Sequence, residues 1–359
     1  MITTINNKHK KLNVPNLRFP EFQGEWEYFL INDVCSEFKS GKNIKADSVF
    51  ECGEYPVYGG NGLRGYTSSY NHEGSYVLIG RQGALCGNVR SVYGKTYITE
   101  HAIAVAGNEK SNTNFLHYLF LKMNLGQYSD QSAQPGLAVN KLLKLKVALP
   151  IISEQTKIAK FLSLLDERIA TQNKIIDKLQ TLIKGIAHKV SKQGKPNIRL
   201  SECLLCTSST LQESDVAEVG AYPVYGANGI VGYLDTYNTT SEAIYIIKDG
   251  SGVGAVSYVK GKCSATGTLN ILQTKEGFSL RYLYFILKVF SFEPYKTGMA
   301  IPHIYFKDYG KAKIYCPSNQ LQCKYADLLS KIEQKATAEQ KILDNLCSQK
   351  QYLLCQMFI

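Results

Sequence analysis

The spacing of apolar residues changes period twice along the chain. After Pro150 they recur at alternating intervals of four and three: Ile158, Leu162, Leu165, Ile169, Ile176, Leu179, Ile183 and Ile186, with Gln172 as the one polar intrusion. That is a heptad seam, the mark of a long amphipathic helix whose stripe needs a partner helix. After Pro317 the rule returns through Tyr325, Leu329, Ile332, Ala336, Glu339, Leu343, Leu346, Lys350 and Leu353. Upstream of each seam the pattern is shorter. Apolar runs such as "SYVLIG" (75–80) and "AIYIIK" (243–248) lie between turn signals at Asn61-Gly62, Asn228-Gly229 and Asp249-Gly250. These read as strands joined by tight turns. Short helices are predicted over "NFLHYLFLKM" (114–123) and "LRYLYFILKV" (280–289).

The two halves are copies. "YPVYGGNGLRGY" (55–66) returns as "YPVYGANGIVGY" (222–233), with nine of twelve letters identical at an offset of 167 residues. The same offset carries Gly83 to Gly250, Gly87 to Gly254, Pro150 to Pro317, Gln155 to Gln322 and Gln172 to Glu339. A unit of about 165 residues is therefore written twice, and repetition on this scale decides the architecture. The predicted class is α+β. The expected divisions are a flexible tail over 1–13, a first domain over 14–150, a helix over 151–193, a second domain over 194–317 and a helix over 318–359. Globule, helix, globule, helix allows the two helices to pair antiparallel within one chain, with the globules at opposite ends and related by an approximate two-fold axis. About 36 residues at 1.5 Å each give a rod of roughly 55 Å. Pairing of the same stripes with another chain, or against the domains alone, is the alternative.

Composition narrows the use of such a molecule. The 359 residues are 44% hydrophobic and 11% aromatic, with 41 Lys and Arg against 30 Asp and Glu, a net charge of +11. That excess favours a polyanionic partner. No apolar run reaches the roughly 20 residues of a membrane span, and the polar start "MITTINNKHKKLNVPN" lacks the apolar core of a secretory signal. With ten cysteines scattered as free thiols, the expectation is a cytoplasmic protein. Cys203 and Cys206 form an isolated C-x-x-C without the further ligands of a zinc site. Cys86 and His101 could be imagined as nucleophile and base, but their counterparts are Val253 and Thr268, so the unit does not need them. No catalytic site and no metal site is expected.

Two similar, non-identical globules at a fixed separation suit two patches on one long ligand such as double-stranded DNA. Residues identical in both copies, Tyr58/Tyr225, Gly59/Gly226, Asn61/Asn228 and Gly65/Gly232, serve the shared fold, Gly and Asn by supplying positive φ in turns. Polar residues that differ at matched turn positions suit base reading: Arg64 against Val231, Gln82 against Asp249, His101 against Thr268, Arg81 against Lys248. Arg can bind guanine, Gln adenine, and Asp can accept from cytosine, while Lys and Arg can equally hold phosphates. Asn61 and Asn228 at the turn tips, with Arg90, Ser251 and Lys262, complete the candidate DNA-binding set. The rival is a coiled-coil scaffold whose globules bind protein or carbohydrate.

In this order, twice over, the blocks are distinctive. "VPNLRFPEFQGEW" (14–26), "YPVYGGNGLRGY", "IGRQGALCGNV" (79–89), "TEHAIAV" (99–105) and "LPIISEQTKIAKFLSLLDERI" (149–169) make the chain resemble the DNA-specificity subunit of type I restriction–modification enzymes. The resemblance implies two target-recognition domains, each reading one half of a split asymmetric target, with the helices as spacer. It implies two modification subunits, adenine-N6 methyltransferases, and ATP-driven restriction subunits as partners. S-adenosylmethionine, ATP and Mg would belong to those partners and no cofactor to this chain. The second copy departs from the pattern: "TEHAIAV" becomes "TGTLNIL" (266–272), and "CPSNQLQCKYADLL" (316–329) lacks the acidic start of its counterpart.

Overall fold

The computed structural model describes residues 13–130 and 135–359. The tail expected over 1–13 lies outside them save for Asn13. The chain forms two compact units, Met1–Thr171 with Leu343–Ile359, and Gln172–Ile342. The division between these units falls within the long helices. The reason is apolar continuity: each globule's core runs on into the seam residues nearest to it.

In the first unit, β1 (Glu27–Leu30) leads through a single turn of helix, α1 (Ile31–Val34), into β2 (Cys35–Ser40). Then follow β3 (Tyr55–Gly59), β4 (Gly62–Thr67), β5 (His72–Gly80), β6 (Val89–Ile98) and β7 (Ala102–Gly107). Strands 2 to 7 form one sheet in the order β2-β7-β5-β6-β3-β4, antiparallel except for the parallel contact of β3 with β6. The run Ala102–Val105 is fully buried, as a central strand covered on both faces must be. Helix α2 (Thr113–Met123) starts where the Asn112 side chain accepts from the backbone N–H groups of Asn114 and Phe115, 2.9 and 3.1 Å away. It buries Phe115, Leu116, Leu119 and Phe120 beside Trp26, Val77 and Ile79 in one core. A turn of helix, α3 (Val139–Leu142), precedes β8 (Lys146–Leu149), which pairs with β1, and the long α4 (Ile152–Ser191) follows.

The second unit repeats this with β9 (Ile198–Arg199), α5 (Leu200–Cys203), β10 (Leu204–Ser208), β11 (Tyr222–Gly226), β12 (Gly229–Leu234) and β13 (Ala243–Ile247). It continues through β14 (Val256–Val259), β15 (Ser264–Ala265), β16 (Leu269–Thr274), α6 (Leu280–Val289), α7 (Phe306–Tyr309), β17 (Lys313–Ile314) and α8 (Asn319–Gln356). The single strand β6 has become two pieces, β14 and β15. The six-stranded sheet accordingly splits into β10-β16-β13-β14 and β12-β11-β15, and the parallel contact survives between β11 and β15.

The helices pair antiparallel inside each unit. In the first, Lys350 Nζ lies 2.5 Å from Asp166 Oδ1, and Ile158, Leu162 and Leu165 share a core with Leu346 and Leu353. In the second, Gln172 Nε2 donates to the Glu339 carbonyl at 3.0 Å and to its carboxylate, while Tyr325 donates to Gln193 at 2.5 Å. Ile176, Ile183, Leu329 and Leu343 are buried there, and Leu179 and Ile332 half-buried, as is Ile169 in the first unit. Beyond Ile183 the buried stripe turns to Ala187 and Val190, leaving Ile186 half-buried, because at that level α4 meets the globule's core as well as α8.

Candidate nucleic-acid interface

In the first domain the β3–β4 hairpin, the turn after β5 and the turn between β6 and β7 converge. They enclose an open cleft of about 340 Å³ lined by Gly59, Gly60, Asn61, Arg64, Gln82, Gly83 and His101. Four of the sequence candidates, from three separate turns, thus line one cavity. The backbone builds it. Arg81 N–H donates to the His101 carbonyl at 2.9 Å and Leu137 N–H to the Arg81 carbonyl at 2.9 Å, which spaces the turns. His101 Nδ1 lies 3.1 Å from Gln82 Oε1, and its Nε2 lies 3.1 Å from Glu100 Oε1. The hairpin glycines hold the arginines. A Cβ on Gly59 would stand 2.8 Å from Cδ of Arg64, and one on Gly62 would stand 3.1 Å from the Arg90 guanidinium carbon. Arg64 and Arg90 are exposed, so two guanidinium groups and an imidazole line or flank a concave surface open to a ligand.

The second domain builds the matching frame with different chemistry. Lys248 N–H donates to the Thr268 carbonyl at 3.0 Å, as Arg81 does to His101. Thr268 Oγ1 is bonded to Thr266 Oγ1 at 2.8 Å. One oxygen of Asp249 is engaged: its Oδ1 lies 2.7 Å from Nδ1 of His303, a residue that no motif singled out. Its repeat counterpart is Gly136, which bridges Gln82 as His303 bridges Asp249. Where the first hairpin packs Arg64 against Gly59, the second packs Val231 and the Glu213 carboxylate against Gly226. The first site carries two guanidinium groups and the His101 imidazole, the second the Asp249 and Glu213 carboxylates, the His303 imidazole and Lys248. Ser251 is exposed on the Asp249 turn, and Asn228 is exposed at the tip of the β11–β12 hairpin.

One expectation changes. Asn61 and Asn228 do not supply positive φ; Gly62 (φ +108°) and Gly229 (φ +103°) do, because the left-handed step falls one residue later, where no Cβ is present. Lys262 is held away from the hairpin tip. Its Nζ stands 4.7 Å over the Tyr237 ring and 5.8 Å from Tyr222, at the opposite end of β11, as Lys95 stands over Tyr70 in the first copy. The lysine over this tyrosine ring is kept in both copies. Cys86 donates to the Arg81 carbonyl at 3.3 Å, and burial raises its thiol pKa above the ordinary value. His101 bonds elsewhere, so no nucleophile–base pair forms. Among the described residues no group of three His, Cys, Asp or Glu side chains is placed to hold a metal, and no helix is long and apolar enough to cross a membrane.

A duplicated α+β domain that keeps its backbone frame, varies the side chains on the frame's turns and alternates with long paired helices defines a class of modular two-domain proteins. The chain belongs to the type I restriction modification DNA specificity domain family, whose model matches residues 23–181 and 203–347. It is 42% identical over 154 residues to the EcoprrI type I restriction enzyme specificity subunit of Escherichia coli, a match covering 42% of this chain and 38% of that one. A putative type I specificity subunit of Mycoplasma genitalium is 24% identical over 365 residues, covering 91% of this chain and 92% of the relative. The E. coli match, like a 28% identical one to a putative specificity subunit of Haemophilus influenzae, thus spans under two-fifths of the relative's length. The fold is that of the crystal structure of a type I restriction–modification S subunit from M. genitalium, with a TM-score of 0.74, 20% identity and coverage of 96% of this chain and 99% of that one.

Proposed function

We propose that this chain is the sequence-reading component of a type I restriction–modification complex. It binds double-stranded DNA at a split, asymmetric target, one half per domain, and directs adenine methylation and restriction by its partners. The observation that carries this reading is the pair of matched frames with unmatched linings. Arg64 and Gln82 in the first copy, and Val231 and Asp249 in the second, occupy equivalent positions next to equivalent glycines. Equal readers suit a palindrome; unequal ones suit two different half-sites. The net charge of +11 suits a phosphate backbone, which supplies affinity without sequence information. Two modification subunits, which would hold S-adenosylmethionine, and restriction subunits using ATP and Mg are the partners in this reading.

The test is co-expression of the chain with a type I modification subunit in a host lacking other adenine methylation, followed by modification-sensitive sequencing. The expected result is N6-methyladenine at one bipartite motif, absent when this chain is omitted. Unmodified DNA from a verified assembled complex would overturn the reading.

A further inference from the structure

The second domain repeats a turn whose first-domain counterpart is fastened by Asp130 N–H to the Gly136 carbonyl and Gly83 N–H to the Pro135 carbonyl, each at 3.0 Å, and lines it with different side chains. Between α6 and α7 the backbone doubles back on itself. Thr297 N–H donates to the His303 carbonyl at 2.9 Å, and His303 N–H donates to the Thr297 carbonyl at 2.7 Å. At the bend, Gly298 has φ +88°, and a Cβ there would stand 2.3 Å from the Ile301 carbonyl oxygen, so the tip is closed in a conformation that glycine alone accepts. Two backbone bonds fasten this turn to the reading turn after β13. Gly250 N–H donates to the Pro302 carbonyl at 3.0 Å and Ile304 N–H to the Lys248 carbonyl at 2.9 Å. The His303–Asp249 bond is the side-chain counterpart of this fastening.

The fastened tip displays side chains that water does not suit. Met299 is fully exposed and Ile301 is 58% exposed, next to a half-exposed imidazole whose Nδ1 is occupied by Asp249. Apolar side chains on a bend closed by backbone hydrogen bonds, beside polar hydrogen-bonding groups, suit base edges and thymine methyl groups, or a base step opened by an apolar wedge. We infer that the Thr297–His303 turn is the main sequence-determining element of the second domain, with His303 reading a base edge through Nε2 and Met299 making the apolar contact. Asp249 then acts as a positioning residue that fixes the imidazole, and not as a cytosine acceptor. This inference rests on the DNA-reading function proposed above. It also explains how one frame yields unlike readers. In the first domain the imidazole comes from His101 and meets Gln82; in the second it comes from the far side of the same turn, at a position where the first copy has Gly136.

The experiment uses the full chain co-expressed with a type I modification subunit, with the methylated motif of each variant read by sequencing and Arg64→Ala marking the other half-site. His303→Ala and Met299→Ser are expected to relax one or two base positions of a single half-site by roughly tenfold to a hundredfold and to leave the half-site altered by Arg64→Ala intact. Asp249→Ala should reproduce His303→Ala, while Asp249→Asn, which keeps an acceptor oxygen, should restore most discrimination. Met299 is wholly exposed, so its replacement leaves the fold intact, and an unchanged motif in Met299→Ser overturns the inference while the proposed function stands. An unchanged motif in His303→Ala does the same. Absence of any bipartite motif with the unaltered chain would overturn the function itself and this inference with it.

Discussion

At the scale of residues, matched positions in the two copies separate what builds the domain from what distinguishes it. Gly59 and Gly226 both lie under a neighbouring side chain, Arg64 in one case and Val231 with Glu213 in the other. Arg64→Ala should therefore leave the hairpin standing and remove a guanidinium from the first cleft. The expected loss is about 1–3 kcal/mol of discrimination at one base position, with binding to random DNA nearly unchanged; an equal loss on both would make Arg64 a phosphate contact. A second pair of matched positions concerns stability. Asp166 accepts from Tyr118 at 2.9 Å in the first unit, and Glu333, its repeat counterpart, accepts from Tyr284 at 2.7 Å in the second. Beside these acids the first copy has His117 where the second has Arg281. Burial, aided by the Lys350 cation and opposed by Asp166, lowers the His117 pKa to about 4. The unfolded imidazole protonates near 6.5, so the chain gains stability from this site above pH 6.5 and loses it progressively between 6.5 and 4. The loss amounts to up to about 3 kcal/mol at the acid end. Urea midpoints measured across that range should fall less steeply in His117→Phe than in the parent chain.

At the scale of elements, the polar intrusion in each helix has a structural explanation. Gln172 and Glu339 stand at equivalent places in the two seams and bond to one another, and Lys335 Nζ lies 2.5 Å from the second carboxylate oxygen. A buried polar pair of this kind specifies register, because any slip along the seam would leave both groups facing apolar neighbours. Gln172→Leu leaves one carboxylate oxygen of Glu339 without its amide donor and should lower the thermal midpoint. Gln172→Leu with Glu339→Leu should recover it, giving a non-additive cycle, and simple additivity would show that the pair is not coupled. The sheets also differ between copies for a local reason. The strand β6 runs unbroken over ten residues, while the chain from Lys260 to Cys263 interrupts its counterpart between β14 and β15. The shared topology survives because the short parallel pairing to the hairpin strand is kept in both.

At the scale of the molecule, the seams suggest that recognition and spacing are separable. Inserting one heptad at equivalent positions of both helices adds about 10 Å to each and preserves the stripe. The expected methylation motif then has a longer unread interval and unaltered half-sites, and a changed half-site sequence would contradict modular reading. The repeat, the alternation of globule and helix and the heptad seams are legible in the linear order because they are periodic, and periodicity is a local property that a fold must respect. The strands around Ser75–Gly80 and Ala243–Lys248 and the short helices were legible for the same reason. Arg64, Gln82 and His101 could be nominated by comparing the copies with each other. Their meeting in one cleft, the placement of Lys262 over Tyr237, and the contact of Asp249 with His303 across 54 residues were not legible. Those depend on which turns the sheets bring side by side, and that juxtaposition is settled by strand order and core packing over the whole domain. The division of each long helix between two cores has the same origin, since a seam records that a helix must be covered and not what covers each part of it.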